Sequence, residues 1–196
     1  GIESVQPDDL SYAKELGLSL KLLGVAERLP DGITVRVFPC FLYSGHPLSP
    51  IEGPFNAVTV EAPEITEVTI SGPGAGGLQT AAAVLGDLIS VVSGEAQTHS
   101  AHNDLPVLSD VSSSFYLHLE VADEPGVLAE VAKILSDSGI SVKSVVQRGI
   151  DDDARLVMVV HQCPESAFKK ATDEIARLES LRSPPRFIRV IEEQFV

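Results

Sequence analysis

The stretch from Phe115 to Ile191 switches between strand and helix periodicity in a fixed order, and this limits the available folds more than any other feature. Phe115-Tyr-Leu-His-Leu-Glu-Val121 alternates as a strand does, and Asp123-Glu-Pro-Gly126 is a turn. Val127, Leu128, Val131, Ile134 and Leu135 then fall on one helical face, which Gly139 ends. Residues 140–147 predict a second strand, 149–153 an acidic hairpin loop and 155–161 a third strand. A second helix over 166–178 and a strand over 186–191 complete the order βαββαβ. That is the split βαβ, ferredoxin-like arrangement, with two helices on one face of an antiparallel sheet.

The first ninety residues follow a different plan. Pro7-Asp8-Asp9 starts a short amphipathic helix bearing Leu10, Ala13 and Leu16, with Gly17 as its stop. Apolar runs at 18–29 and 33–43 flank the turn Pro30-Asp31-Gly32, and runs at 55–61 and 64–70 flank Ala62-Pro63, so two hairpins are expected. Ser71-Gly-Pro-Gly-Ala-Gly-Gly-Leu-Gln-Thr80 reads as a loop too rich in glycine for a strand, feeding an alanine-rich helix over 77–92. A helix N-terminus carries backbone N–H groups without intrahelical partners and partial positive charge, so Gly74, Gly76 and Gly77 would let a phosphate, carboxylate or hydroxyl approach. The same glycines equally serve a plain chain reversal, since neither a dinucleotide fingerprint nor a phosphate-loop lysine is present. Between the hairpins, a proline-stiffened loop holds His46, Glu52 and Asn56, which can be ligand groups or simply a surface histidine and a turn residue.

Residues 93–104 contain almost no large apolar side chain and read as a linker. His99 and His102 within it lack the further ligands a metal site needs, and no metal is expected. The chain's 28 acidic against 14 basic residues give a formal charge of −14, which opposes nucleic-acid binding. No apolar run is long enough to span a membrane and no signal peptide opens the chain, so a soluble, cytoplasmic protein is expected. Cys40 and Cys163 read as separate buried thiols. The chain starts at Gly1 and its one methionine is Met158, which suggests a start partway through a longer product, although a removed tag or initiator Met has the same effect.

Asp123-Glu-Pro-Gly-Val-Leu-Ala-Glu-Val-Ala-Lys-Ile-Leu-Ser-Asp-Ser-Gly-Ile-Ser-Val-Lys-Ser-Val-Val-Gln147 resembles the opening of an ACT domain, the amino-acid-sensing module of many amino-acid-pathway enzymes. The resemblance implies an effector held between paired domains by Asp123, Pro125, Gly126, Val127, Leu128 and Gln147; an ACT-like domain that only dimerises is the alternative. The helix start after Gly126 could receive a carboxylate, and the Gln147 amide a small polar side chain. Lys14-Glu-Leu-Gly17, Lys21-Leu-Leu-Gly24, His46-Pro-Leu, Phe55-Asn-Ala-Val58, Gly72-Pro-Gly-Ala-Gly76 and the run from Thr80 through Asp87-Leu88 are, in that order, similar to the C-terminal half of homoserine dehydrogenase.

Together the resemblances imply an α+β chain in three parts. Residues 1–92 are a partial mixed or antiparallel sheet domain with a C-terminal helix, the end of the catalytic and dimerisation domain; 93–112 are a linker; 113–196 are a ferredoxin-like ACT regulatory domain. They further imply that Gly76, Gly74, Ala75 and Thr80 shape a pocket for NADP or NAD, that His46 lies near the active-site cleft, and that threonine is the effector. The parent enzyme reduces aspartate 4-semialdehyde to homoserine on the way to threonine and methionine, as a dimer or tetramer. The family's nucleotide-binding fingerprint and catalytic lysines are not in this chain, so alone it is expected to be inactive. The competing reading is a stand-alone effector-binding dimer without catalysis.

Overall fold

A computed structural model describes residues 2, 5–94, 104–150 and 153–191. His99 and His102 lie outside the described residues. The elements, in order, are α1 (Pro7–Glu15), β1 (Leu18–Leu29), β2 (Gly32–Tyr43), β3 (Phe55–Ala62), β4 (Thr66–Pro73), α2 (Gly77–Ser93), β5 (Ser112–Ala122), α3 (Val127–Asp137), β6 (Val142–Ile150), β7 (Asp153–Pro164), α4 (Glu165–Ile175) and β8 (Arg186–Ile191). The fold is α+β. Among the described residues no helix is long and apolar enough to cross a membrane.

Six strands form one sheet in the order β1-β2-β8-β5-β7-β6. Its β8-β5-β7-β6 part is antiparallel and has the strand order expected of βαββαβ. The β1–β2 hairpin turns at Pro30-Asp31, where proline presets φ, and pairs Leu29 with Gly32. It then extends the sheet: β2 runs parallel to β8, with Cys40 opposite Arg189 and Leu42 opposite Ile191.

Strand alternation sends β5 side chains to two covered faces. Phe115, Leu117, Leu119 and Val121 join Val131, Leu135, Leu156, Met158, Phe168, Ala171 and Ile175 in the core under α3 and α4. Tyr116 packs instead with Val157, Val159, Ile188 and Val190 against Tyr12, Ala13 and Leu18. The sheet face opposite α3 and α4 is therefore capped by α1, whose first turn is fixed by the Gln6 N–H donating to Asp9 Oδ2 at 2.9 Å.

Compactness groups Gly1–Ser44 with Pro106–Glu193, and a second unit takes in Gly45–Leu105. Strands β3 and β4 make a separate two-stranded sheet. The end of the expected linker is also tied down. The Ile33 N–H donates to Pro106 O at 2.9 Å, the Leu108 N–H donates to Ile33 O at 2.8 Å, and Asp110 accepts from the Ser166 N–H at 3.0 Å at the start of α4. Nor are Ser71, Gly72 and Pro73 a loop; they continue β4 opposite Ala57, Asn56 and Phe55. A two-stranded ribbon leaves each strand one unpaired edge, so Pro73 can end β4 without breaking a ladder.

Candidate functional site

In the second unit the glycine run narrows to Gly74-Ala75-Gly76, between β4 and α2. The Gly74 N–H donates to Pro54 O at 2.8 Å, and a Cβ at Gly74 would overlap the Asn56 side-chain amide. Gly76 caps α2 with φ of 131°, a conformation that disfavours any side chain, and its carbonyl accepts the Thr80 N–H at 3.0 Å. Gly74, Ala75, Gly76 and Thr80 are all exposed. The first turn of α2 carries no acidic residue to compete for its free N–H groups. No side chain of α2 is buried; Leu85, Leu88 and Ile89 are more than half exposed. The turn is thus open, lies at the partly positive end of a helix and is shaped by two glycines at which a side chain would crowd Asn56 or strain the backbone.

His46, in the loop before β3, is buried rather than on the surface. Its Nδ1 accepts the Leu48 N–H at 3.0 Å, which places the ring proton of the neutral form on Nε2. Burial lowers its pKa against the opposing pull of the Glu67 carboxylate, so the neutral ring is favoured.

The first unit carries the second group of expected residues at the end of β5 and the start of α3. Gln147 Nε2 donates to Asp123 Oδ1 at 3.3 Å across the gap between β6 and the β5–α3 loop. Gly126, with φ of 100°, caps α3, and its carbonyl accepts the Glu130 N–H at 2.9 Å. Asp123, Pro125, Gly126, Leu128 and Gln147 are exposed there. Val127 differs: its side chain belongs to the core, so only its backbone faces the loop.

A third group escaped the sequence reading. Asp9, Tyr116 and His118 are fully buried between α1 and the sheet, with Arg186 closing the cluster. His118 Nδ1 lies 2.8 Å from Asp9 Oδ1, and the Tyr116 hydroxyl donates to the same oxygen at 3.3 Å. Arg186 Nε donates to Asp9 Oδ2 at 3.3 Å, while its Nη2 reaches both oxygens of Asp8 at 3.2 Å. Burial pushes the Asp9 carboxyl up, but the hydrogen bonds from His118, the Gln6 N–H and Arg186 outweigh it and hold the group below the usual carboxylate range. Burial beside Asp9 pushes the Tyr116 phenol up, so it stays a donor. Asp8, Asp9 and His118 bring potential metal-ligand atoms within 4.8 Å of one another, yet the Arg186 guanidinium already supplies the cation that those carboxylates face.

Comparison with known proteins divides the chain differently from its compact units. The homoserine dehydrogenase family model matches residues 1–89, and the ACT domain model matches residues 115–180. The first part of the chain is thus similar to homoserine dehydrogenases and the second to ACT domains. A homoserine dehydrogenase of Helicobacter pylori is 34% identical over 97% of this chain and 47% of its own length. One of Corynebacterium glutamicum is 35% identical over 88% of this chain and 42% of its own. The crystal structure of a homoserine dehydrogenase from Thiobacillus denitrificans superposes with a TM-score of 0.87 at 31% identity, covering 98% of this chain and 47% of that one. The S. aureus enzyme, at 22% identity and a TM-score of 0.64, shares the fold. The chain spans about half the length of the homoserine dehydrogenases it matches. The homoserine dehydrogenase match takes in α1, both hairpins and most of α2, and the ACT match takes in β5 to α4, yet α1, β1 and β2 share a compact unit with the latter.

Proposed function

We propose that this chain is the C-terminal part of an NAD(P)-dependent enzyme that reduces aspartate 4-semialdehyde to homoserine. In this reading an upstream nucleotide-binding domain holds most of the cofactor, and α2 presents its N-terminus to it. The observation that carries the reading is the turn before α2: exposed, with Gly76 at φ of 131°, Gly74 packed on Asn56, and no acidic residue in the first turn. Those features suit the close approach of an anionic or amide-bearing cofactor. When bound, the nicotinamide supplies the hydride. Gly74, Ala75 and Gly76 would admit it without steric contact, Thr80 would offer a hydroxyl, and the neutral His46 ring would border the cleft. Residues that polarise the substrate carbonyl belong to the upstream part, so the chain alone is expected to be inactive. In the whole enzyme, Gly76→Val should raise the KM for NADPH about tenfold, equivalent to about 1.4 kcal/mol of binding, with a smaller effect on kcat. An unchanged KM removes Gly76 from the cofactor pocket.

The ACT domain serves in this reading as an amino-acid sensor in a cytoplasmic homo-oligomer, dimer or tetramer. Threonine fits best: its carboxylate suits the start of α3 after Gly126, and its hydroxyl suits the Asp123–Gln147 pair, whose two groups can each exchange a partner. Calorimetry with L-threonine on the chain tests this directly, and absence of binding at millimolar concentration refutes it. A stand-alone regulatory dimer is the second reading, favoured by the effector residues lying wholly within one compact unit. Dehydrogenase activity of the whole gene product decides between them.

A further inference from the structure

The residues that hold α1 are attached to the same two strands that build the effector end of the sheet. On β6, Gln147 and Arg148 are adjacent and so face opposite sides. Gln147 reaches Asp123 on the α3 side, whereas Arg148 Nη2 donates to Glu15 Oε2 of α1 at 2.9 Å and its guanidinium lies 5.6 Å from the centre of the Tyr12 ring. On β5, Tyr116 and His118 bind Asp9 of α1, and Glu120 lies 3.6 Å from Arg186, which grips both Asp8 and Asp9. Asp123 follows directly at the end of that strand.

A purely apolar contact would hold α1 against the sheet, and could slide. Buried charges cannot, because Asp9 would have to leave Tyr116, His118 and Arg186 at once and carry its charge through an apolar layer. We propose that α1 is a helix latched to the effector-binding sheet, and that Arg148 couples the Asp123–Gln147 pair on one face to α1 on the other. The inference builds on the effector reading above. It gives the ACT segment a mechanical connection to the dehydrogenase segment, since α1 lies within residues 1–89 and β5 and β6 within 115–180. A ligand that takes Gln147 away from Asp123 re-aims the end of β6, and the side chain one residue on is the one that holds Glu15 and Tyr12. Such a ligand shifts α1 only to the extent that it favours one arrangement over the other.

The link is tested without any ligand, by amide hydrogen exchange of the whole chain. Gln147→Ala removes the exposed pair to Asp123. It should speed exchange of the α1 amides about two- to fivefold relative to those of α4, the ratio corresponding to one partly exposed ion pair. In Arg148→Ala the same second substitution should no longer change α1. Unaltered α1 exchange in Gln147→Ala, or an equal increase with Arg148 already removed, overturns the proposal. The α4 amides report that each variant is folded. Calorimetry with L-threonine judges the effector reading separately: no heat of binding sinks that reading, while the exchange comparison still decides the link.

Discussion

Replacing Arg186 by methionine isolates the cluster under α1. Arg186 keeps 18% of its side chain exposed and Asp9 none. Removing one partner of a buried pair costs about 3–5 kcal/mol when the other is left uncompensated. Here Asp9 keeps His118, Tyr116 and the Gln6 N–H, so a loss of about 2–3 kcal/mol is expected, lowering the midpoint of thermal unfolding by roughly 5–10 °C. The three tyrosines, Tyr12, Tyr43 and Tyr116, all lie in the first compact unit, and the chain has no tryptophan. Near-ultraviolet circular dichroism therefore follows that unit without interference from α2.

The pH profile sharpens the test. Asp9 is held below its ordinary value when folded, so its contribution is present above about pH 4, the unfolded carboxylate value, and is lost as pH falls through the lower folded value. The wild type should accordingly hold its advantage over Arg186→Met from neutral pH down to about 4 and lose it below. Adding Asp9→Leu to Arg186→Met should cost less than the sum of the two single losses, because the contacts between the two groups are then counted only once. A midpoint change of less than about 1 °C for Arg186→Met at pH 7, or strict additivity in the double variant, refutes the view that these groups act as a unit.

Three further outcomes can be measured. Burial pushes the Cys40 thiol up to about 12 and the Cys163 thiol up to about 11, so neither should react with a thiol reagent at pH 8 until the sheet unfolds; prompt labelling refutes their assigned burial. Leu88→Glu together with Ile89→Glu, on a helix that buries nothing, should leave the tyrosine-monitored midpoint within about 1 °C and lower any self-association seen by light scattering. Phe168→Ala, which removes a ring stacked on Phe115 with centroids 4.0 Å apart in the α3–α4 core, should cost about 3–5 kcal/mol, and a loss below about 1 kcal/mol contradicts the packing described.

Local periodicity and turn chemistry made most elements legible. Pro30-Asp31 placed the first hairpin, Gly17 and Gly139 ended helices, and the βαββαβ order gave the ACT half its strand order. Contacts set by distant residues were not legible. Nothing local in β2 announces a parallel partner more than a hundred residues later, and Asp9 meets His118 and Arg186 across sequence separations of 109 and 177. Asp8 and Asp9 read only as favourable first-turn charges, because that role explains them without any partner. Among the candidate site residues, the Gln147–Asp123 hydrogen bond joins positions 24 residues apart that spacing does not link, and Val127 could not be assigned to the core by spacing alone, since a residue opening a helix can face either way.

Strand β5 shows why the two family segments do not separate cleanly. Its alternation of Phe115, Leu117 and Leu119 with Tyr116, His118 and Glu120 is the pattern of a strand with one wet face, yet Tyr116 and His118 are as buried as the leucines. The Tyr116 hydroxyl and His118 Nδ1 meet Asp9 of α1 instead of water, while His118 Nε2 has no hydrogen-bond partner among the described residues. A chain beginning at Pro106 would therefore uncover Tyr116, Val157, Val159, Ile188 and Val190 and leave Arg186 without Asp8 and Asp9. At about 1.5–3 kcal/mol for each large side chain returned to water, the loss is as large as the whole stability of an ordinary domain, even though such sums are upper bounds. That shortened chain should aggregate or expose dye-binding apolar surface. If it proves monomeric and unfolds cooperatively within a few degrees of the full chain, α1 and the first hairpin are ornaments on an independent ACT domain, and the latch has no energetic basis.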